Sequence, residues 1–264
     1  MKTHILIVVA GLLTFQAGAR SVLFDFDNAP LHSPLPIDLT VGGITAHLSA
    51  TGQGYSIQDT TAPVVPAGFS GRFIYPSSIN AADLLVSFST PLTDFSILYA
   101  SQELACDSSA TMRVTAYLNG AFVATATTNA TWNCTCTYTA QILPISSAQP
   151  FNSVVVHYDA PPLPSPNPCQ DYGVIFLADN MTVTPAPPPI ILADVVKPAN
   201  GPFQFSFAGT TNASFTVFGS TNPALPFSNW AALVGLTEAT PGHFQFIDWQ
   251  ATNMPRRFYR VSSP

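Results

Sequence analysis

The sequence predicts an all-β protein, in which an antiparallel jelly-roll sandwich is joined by a proline-rich linker to a small immunoglobulin-like β-sandwich. Charged residues make up only 8% of the 264 residues, and Glu103 and Glu238 are the only glutamates. This composition disfavours surface helices, which depend on such residues. Short apolar–polar alternations instead recur between turns rich in Pro, Gly and Asn, as is typical of strands. Four prolines between Val183 and Ile190 cannot join a sheet ladder, so they predict a module boundary.

The first 19 residues have the pattern of a secretory signal peptide. Lys2 precedes an apolar run from Ile5 to Leu13, and Ala17-Gly18-Ala19 supplies the small residues of a cleavage site. The run is too short for a stable membrane span, and no later stretch approaches the ~20 apolar residues that a helical span needs. We therefore expect a secreted or extracellular protein without a membrane span after cleavage, with the periplasm as an alternative destination.

The charge balance argues against nucleic acid as a partner. Eight basic side chains face fourteen acidic ones, which gives a formal net charge of −6. Such a chain lacks the basic surface that binds phosphate backbones or anionic membranes. The one basic cluster, formed by Arg256, Arg257 and Arg260, is too small to change this conclusion.

Four cysteines remain in the exported chain, at Cys106, Cys134, Cys136 and Cys169. An even number in an exported protein predicts disulfides, and three pairings are open. Cys134 and Cys136 are only two residues apart, so a bridge between them would be strained. A zinc site is the alternative, but the spacing is not CxxC and no histidine lies close in sequence.

In residues 20–184 the first strand is predicted from alternation. Val22, Phe24 and Phe26 share one face of a strand over Ser21–Asp27. The opposite face then carries two carboxylates. Either this face is simply solvated, or a cation binds there.

The most definite local prediction in residues 20–184 is a hairpin. Asn119-Gly120 is the strongest short signal for a type I′ turn, and it joins strands Thr111–Leu118 and Phe122–Thr128. A last strand is predicted at about Val174–Val183, and residues 59–82 read as a loop rich in Pro and Gly. Further strands are predicted at Ile44–Ala50, Tyr55–Gln58, Leu84–Ser89, Phe95–Ala100, Thr137–Leu143 and Val154–Tyr158.

These signals divide the chain into a signal peptide (1–19), a jelly-roll β-sandwich domain (20–184), a proline-rich linker (185–189) and a small immunoglobulin-like β domain (190–264). Roughly ten short strands without a helix-length periodic segment favour a two-sheet antiparallel sandwich for the first domain. In the second domain, strands are predicted at Ile191–Val196, Phe203–Phe207, Phe215–Gly219, Trp230–Val234, Phe244–Asp248 and Phe258–Val261.

The first domain resembles the galactose-binding-like jelly rolls of secreted bacterial proteins. The resemblance rests on the acidic first strand Phe24-Asp25-Phe26-Asp27-Asn28 and the last strand Ala178-Asp179-Asn180-Met181-Thr182-Val183. It implies a sandwich with a structural calcium ion between the two chain ends. Calcium prefers carboxylate and amide oxygens, and the expected ligands are Asp25, Asp27, Asp179 and Asn180. The alternative is that these side chains cap strand ends or face water.

The second domain is similar to a small β module that recurs at the C-termini of secreted bacterial proteins. The similarity runs from Ala213 through Trp230 and Phe244–Asp248 to Arg257–Val261. It supports export and fold rather than an activity. Trp230 and Trp249 are expected in the core or at its rim.

No catalytic residue is assigned. Neither GxSxG nor HExxH occurs, and Gly68-Phe69-Ser70-Gly71 is one residue short of a nucleophile elbow. His157 and Asp159 share a strand face, but no serine is identified for them, so the pair is interpreted as structural. The balance is against an enzyme, with a hydrolase of unrecognised site as the second alternative.

Sugar binding would use an exposed aromatic side chain near amides and carboxylates. Trp132, in the polar stretch Thr128–Asn133, is the first candidate, and Tyr138 and Tyr172 are the others. Trp132 packed over a disulfide loop is the competing interpretation. We therefore expect a non-catalytic exported protein whose first domain binds a glycan or another extracellular ligand, such as a protein. The first alternative is a structural or cell-surface interaction protein without a small ligand.

Overall fold

The computed structural model describes residues 20–78, 82–101, 111–129, 139–159, 176–199, 201–254 and 256–262. The predicted signal peptide lies outside these ranges. The chain forms two compact units, residues 20–186 and residues 187–264. Both are built of antiparallel strands, which confirms the all-β prediction. Among the described residues, no helix is long and apolar enough to cross a membrane.

The described part of residues 20–186 contains ten strands, all paired antiparallel. They are β1 (Val22–Phe24), β2 (Ile37–Val41), β3 (Ile44–Ala50), β4 (Tyr55–Asp59), β5 (Arg72–Pro76), β6 (Leu84–Ser101), β7 (Thr111–Leu118), β8 (Ala121–Asn129), β9 (Gln141–Asp159) and β10 (Phe176–Pro185).

Two of these strands, β6 and β9, run through both layers of the sandwich. Their first and second halves pair in different layers, because the register of β6 shifts between Ser87 and Asp94. The front sheet has the order β2-β3-β6-β9-β7-β8, and the back sheet has the order β4-β5-β10-β6-β9 with β1 beside β10. A bulge is the usual device for bending a strand from one layer to the next.

One apolar core fills the space between the two sheets. Alternate residues of each strand point inward, as the two-residue period of a strand requires. Leu48, Val86 and Val156 line the front sheet, while Ile74 and Ile97 line the back sheet, and all five are buried. A smaller cluster lies on the outer face of the back sheet, where Phe69, Phe73, Ala100 and Leu177 pack together.

The corner of the sandwich differs from the prediction. Two strands separated by Thr90-Pro91 were expected, but β6 is continuous from Leu84 to Ser101. Pro91 is exposed at the bend, and its carbonyl accepts a hydrogen bond of 2.8 Å from the N–H of Ala186. A proline is tolerated in a strand where its missing N–H faces solvent. Strand β9 is likewise continuous, and its Pro144 and Pro150 lie at the edge of the back sheet.

Three other strand predictions for this unit need correction. The first strand ends at Phe24 rather than Asp27, because Phe26 adopts a left-handed backbone with φ of 60°. Strand β2 was not predicted, and β5 lies inside the segment predicted as loop. Pro185, expected to start the linker, is the last residue of β10 and pairs with Leu92.

The hairpin prediction is confirmed. Strands β7 and β8 flank Asn119-Gly120, whose φ values are 51° and 83°. Positive φ at both central residues defines the type I′ turn, which asparagine and glycine tolerate best.

The second unit has two sheets, of four and three strands, around an aromatic core. Phe203, Phe205, Phe207, Phe246 and Tyr259 are buried there. The strands are β11 (Leu192–Val196), β12 (Phe203–Ala208), β13 (Thr216–Ser220), β14 (Ala231–Leu233), β15 (Leu236–Thr240), β16 (His243–Asp248) and β17 (Phe258–Ser262).

Two predictions for this unit were incomplete or wrong. Strand β15 was not predicted, because Leu236 is its one large apolar residue. Trp249 is 71% exposed rather than part of the core, whereas Trp230 is half-buried and its indole N–H donates to the carbonyl of Leu225.

Candidate functional site

Five strand ends lie together at one end of the first unit, here called the loop end. In the front sheet Thr111 pairs with both Asn129 and Asp159, and in the back sheet Phe176 pairs with Ser101. Residues 102–110, 130–138 and 160–175, which adjoin these strand ends in the sequence, lie outside the described residues.

Tyr99 ties the two sheets at this end. Its ring is buried, and its hydroxyl donates to the carbonyl oxygen of Asn129 at 2.5 Å and contacts the hydroxyl of Thr128 at 2.9 Å. Burial raises the pKa of Tyr99, so it remains a neutral donor. Tyr55 of β4 makes a similar contact with the residues before β6, since its hydroxyl donates to the carbonyl of Ala82 at 2.8 Å. These hydrogen bonds fix the described end of β8 and the residues that lead into β6.

The predicted aromatic ligand-binding residues and the predicted disulfides lie outside the described residues. They belong to residues 102–110, 130–138 and 160–175, which adjoin in sequence the described strand ends at the loop end. The predictions for Trp132, Tyr138 and Tyr172, and for disulfides among Cys106, Cys134, Cys136 and Cys169, therefore stay predictions.

A network of four ionisable side chains lies at the loop end on the outer face of the front sheet. The Arg113 guanidinium donates to both oxygens of Asp159, at 2.7 and 3.0 Å. His157 bridges two carboxylates, with Nδ1 at 2.5 Å from Asp83 and Nε2 at 3.2 Å from Asp159. The hydrogen bond from Arg113 lowers the pKa of Asp159 and raises the pKa of Arg113. We call these four residues the charged network.

The charged network presents hydrogen-bond donors and acceptors to solvent. Each of its side chains keeps between 29% and 39% of its surface exposed. Arg113 has five N–H donors, of which two contact Asp159. A guanidinium fork beside carboxylates suits hydroxyl groups, which both donate and accept hydrogen bonds.

The same geometry does not prepare a nucleophile. Both ring nitrogens of His157 contact carboxylates, so neither is positioned to accept a proton from a serine. Ser70, in the segment that approaches the elbow motif, contacts Asp179 instead, through a backbone N–H at 3.2 Å. The His157–Asp159 pair is therefore part of an ion network, in agreement with its structural interpretation.

The predicted calcium ligands form a second group, here called the carboxylate junction (Asp25, Asp27, Asp179 and Asn180). Strand β10 has two successive neighbours on one side, β5 beside Ala178 and then β1 beside Met181. Asn180 lies at the register shift between them, with φ of 48°. Since β1 ends beside this bulge, Asp25 and Asp27 approach Asp179.

Backbone amides hold the carboxylates of the junction. Asp27 Oδ1 accepts from the N–H of Arg72 at 2.7 Å, and Asp179 accepts from the N–H groups of Ser70 at 3.2 Å and Asn180 at 2.7 Å. Gly71 lies directly against Asp27, and a Cβ built on it would lie 1.8 Å from Oδ1. Only glycine allows this close approach.

Asp179 is buried although no cation contacts it among the described residues. Burial, with the nearby charges of Asp27 and Asp25, raises its pKa from 3.8 to about 6 despite the two backbone hydrogen bonds. Within the described ranges, no three His, Cys, Asp or Glu side chains are arranged to hold a metal ion. Calcium binding at the junction stays a prediction.

Sequence reasoning missed two members of the charged network, Arg113 and Asp83. The pairing of β7 with β9 places Arg113 opposite His157, and this pairing joins strands far apart in the chain. No local pattern indicates such a register. Sequence reasoning did predict the carboxylate junction, because its residues lie next to β1 and on β10, which are the first and last strands of the unit.

No family model matches the sequence, and no curated protein matches it. Among solved structures, the chain is similar to the K1 cleaved adhesin domain of Lys-gingipain from Porphyromonas gingivalis W83, at 12% identity and a TM-score of 0.35, over 63% of this chain and 99% of that chain. It is also similar to the CBM51-2 and INT domains of ZmpB from Clostridium perfringens, at 10% identity and a TM-score of 0.28, over 55% of this chain and 38% of that chain. At these TM-scores the similarities carry no argument about function.

Proposed function

We propose that residues 20–186 form a non-catalytic, extracellular binding module whose loop end binds a glycan. The observation that carries the proposal is the meeting of five described strand ends at one end of the unit, beside the charged network. Binding residues concentrate on loops held by a rigid scaffold. The hydrogen bond of Tyr99 provides such rigidity at the end of β8, where residues 130–138 continue the chain.

The chemistry of the loop end suits a sugar. The aromatic candidates Trp132, Tyr138 and Tyr172 would stack on the apolar faces of pyranose rings, while Arg113 and Asp159 would hydrogen-bond the hydroxyl groups. Disulfides among the four cysteines would reduce the conformational entropy of residues 102–175 before binding. This would lower the entropic cost of binding a ligand. The carboxylate junction belongs to this proposal as a calcium site that stabilises the module.

A glycan array tests the proposal with the mature chain and two matched tryptophan variants. We expect wild-type protein and Trp249→Ala to bind the same glycans, because Trp249 lies on the second unit and is already exposed. Trp132→Ala should lose at least about tenfold in affinity, the order expected for one stacked aromatic side chain.

Equal binding by Trp132→Ala and wild type would contradict the assignment of Trp132. An array on which the wild-type protein binds nothing would contradict glycan as the ligand class and favour a protein partner.

A further inference from the structure

A cavity of about 250 Å³ lies at the side of the first unit, between the edges of its two sheets. Strand β1 of the back sheet and strand β2 of the front sheet lie near each other there, but β1 pairs with β10 and β2 pairs with β3. Among the described residues, β1 and β2 form no ladder with each other that would close the gap. We call this space the side cavity, and none of its lining residues belongs to the charged network.

The floor of the side cavity is apolar, and one end of the gap is closed. The lining includes the buried residues Phe24, Phe26 and Ala29 and the half-buried residues Leu39 and Val41. At the closed end Gly42 lies against Val22, since a Cβ built on Gly42 would lie 2.9 Å from Cγ2 of Val22. An extended peptide therefore cannot run along the whole edge of β2. The side cavity has room for a small molecule, because pockets for drug-sized ligands begin at about 300 Å³.

The rim of the side cavity is polar and carries negative charge. Four exposed residues line it, namely Asp25, Asn28, Asp38 and Thr40. Among the described residues, the ion pairs of the two carboxylates are limited to one contact, of 2.7 Å between Asp38 and His47. The rim therefore offers carboxylate oxygens above an apolar floor.

The backbone of β2 adds further acceptors on the side of the cavity. Strands β2 and β3 form a hairpin around Gly42-Gly43, whose φ values of 57° and 81° indicate a type I′ turn. Val41 and Ile44 close this hairpin as a hydrogen-bonded pair. Because hydrogen-bonded and non-hydrogen-bonded pairs alternate, the carbonyl groups of Asp38 and Thr40 point away from β3. This is the edge of β2 that faces the side cavity.

We propose that the side cavity binds a small organic cation, in which a primary ammonium group is attached to a short apolar body. An ammonium group carries three donors and no acceptor, so the carboxylates and the outward carbonyl groups of β2 suit it. The apolar body would cover the floor, as the stem of a lysine side chain covers apolar surface. The formal net charge of −6 also attracts cations to the protein. This site is separate from the glycan site proposed at the loop end.

The lining of the side cavity argues against other classes of ligand. An anion would be repelled by the two carboxylates, and a purely apolar ligand would displace water from the rim without replacing its hydrogen bonds. A bare metal ion would find no oxygen ligands on the apolar floor. A neutral hydroxylated ligand lacks the charge that strengthens hydrogen bonds to carboxylates, so it is expected to bind more weakly.

Three ligands with the same alkyl chain test the proposal: n-hexylammonium, 1-hexanol and hexanoate. Each is titrated into the full chain at neutral pH and followed by NMR, with EDTA present because Asp25 also belongs to the carboxylate junction. We expect n-hexylammonium to bind with a Kd on the order of 10⁻³ M and to shift amide resonances of β1 and β2. The uncharged 1-hexanol should bind at least about tenfold more weakly, and hexanoate should not bind.

Two carboxylate variants distinguish a local site from the effect of overall charge. Asp38→Asn should weaken the binding of n-hexylammonium about tenfold and leave that of 1-hexanol unchanged. Asp194→Asn removes the same charge from an exposed position of the second unit and should bind like wild type. Thermal melts of both variants exclude misfolding as the cause of a difference.

The proposal is overturned if n-hexylammonium does not bind wild type, or if 1-hexanol or hexanoate binds equally well. It is also overturned if Asp38→Asn binds like wild type, or if both variants weaken binding to the same extent. Trp132→Ala should leave the binding of n-hexylammonium unchanged, so this test is independent of the glycan array.

Discussion

Two buried carboxylates, one in each unit, are held in opposite ways. Asp248 in the second unit is 5% exposed, and its Oδ2 accepts from Arg257 at 2.7 Å and from Tyr259 at 3.0 Å. Its Oδ1 caps the following turn by accepting from the N–H groups of Gln250 and Ala251. Asp179 in the first unit is fully buried but has only amide donors and two other carboxylates around it.

The contrast separates a carboxylate that stabilises the fold from one that strains it. Asp248 has a cation, a phenol and two amides as hydrogen-bond donors. Burial, followed by the hydrogen bond to Asp248, raises the pKa of Tyr259. It is a satisfied structural centre in a unit with a small core. Asp179 has no cation among the described residues to offset its charge, so its carboxyl gains a proton as the pH falls towards about 6. An uncompensated buried charge is more often found at functional sites than in plain scaffolding.

The largest effect is expected at Asp248. Asp248→Ala leaves the buried guanidinium of Arg257 without its counter-charge, which costs about 3–5 kcal/mol. The second unit is small, so we expect it to unfold, and urea titration of the full chain should show the loss of its transition. Glu238→Gln, at a partly exposed carboxylate in the same unit, serves as control and should change stability by less than about 1 kcal/mol. If Asp248→Ala unfolds at the same urea concentration as wild type, Asp248 does not stabilise the second unit and its contrast with Asp179 is wrong.

The second prediction concerns Asp179 and pH. Its folded pKa of about 6 exceeds the ordinary 3.8, so the folded chain holds the proton more tightly than the unfolded chain. The contribution of Asp179 to the free energy of unfolding therefore falls as the pH rises from about 4 to 6, and it stays low above pH 6. In calcium-free buffer at pH 7.5, Asp179→Asn should stabilise the first unit by up to about 3 kcal/mol, and at pH 4 it should not.

Denaturant titrations at both pH values measure this effect. Asp38→Asn, on the exposed strand β2, is the matched control and should leave the pH profile as in wild type. If the free energy of unfolding of Asp179→Asn changes with pH in the same way as that of wild type, Asp179 is not the cause of the pH dependence.

The third prediction concerns calcium. An ion bound at the carboxylate junction would give Asp179 the positive counter-charge that Arg257 gives Asp248. Extracellular modules bind calcium with Kd on the order of 10⁻⁴–10⁻³ M. At about ten times Kd, binding contributes ~1.4 kcal/mol, which raises the Tm of the first unit by roughly 2–4 °C. EDTA should remove this increment, and Asp179→Ala should abolish it. A Tm indifferent to both calcium and EDTA would contradict calcium binding and favour the alternative, in which these side chains cap strand ends or face water.

The smallest effect is expected for the exposed ion pair of the charged network. Arg113→Met keeps most of the aliphatic packing but removes the two hydrogen bonds to Asp159. Because the pair is more than one-third exposed, solvent screens it, and the loss should be less than about 1 kcal/mol. Differential scanning calorimetry should thus show a small shift in Tm. A loss as large as that of Asp248→Ala would mean that the network is a structural centre rather than a ligand-facing surface.

The sequence predicted what depends on local pattern. The Asn119-Gly120 turn, the alternating strands on each side of it and the aromatic strand at Phe203–Phe207 all follow from residue types that act within a few positions. The juxtaposition of Asp25 with Asp179 was also predicted, because the first and last strands of the unit pair.

Features that depend on tertiary context were not predictable from the sequence. Pro91 marked a break between strands, yet the chain continues through it because the bend moves β6 from one sheet to the other. Strand β5 is short and lies among glycines and prolines, so its pairing with β10 outweighs its weak local signal. The pairing that brings Arg113 to His157 is set by strand order, which a single sequence does not encode locally.

The passage of β6 and β9 through both sheets has a consequence for how residues 20–186 come apart. In a sandwich whose layers touch only through side chains, one layer can fray while the other persists. Here, opening either layer breaks backbone pairs on strands that continue into the other. Amide protons along both strands should therefore exchange with deuterium in one cooperative event, at close to the global unfolding free energy. Tension on one layer is therefore transmitted along the covalent chain to the other layer.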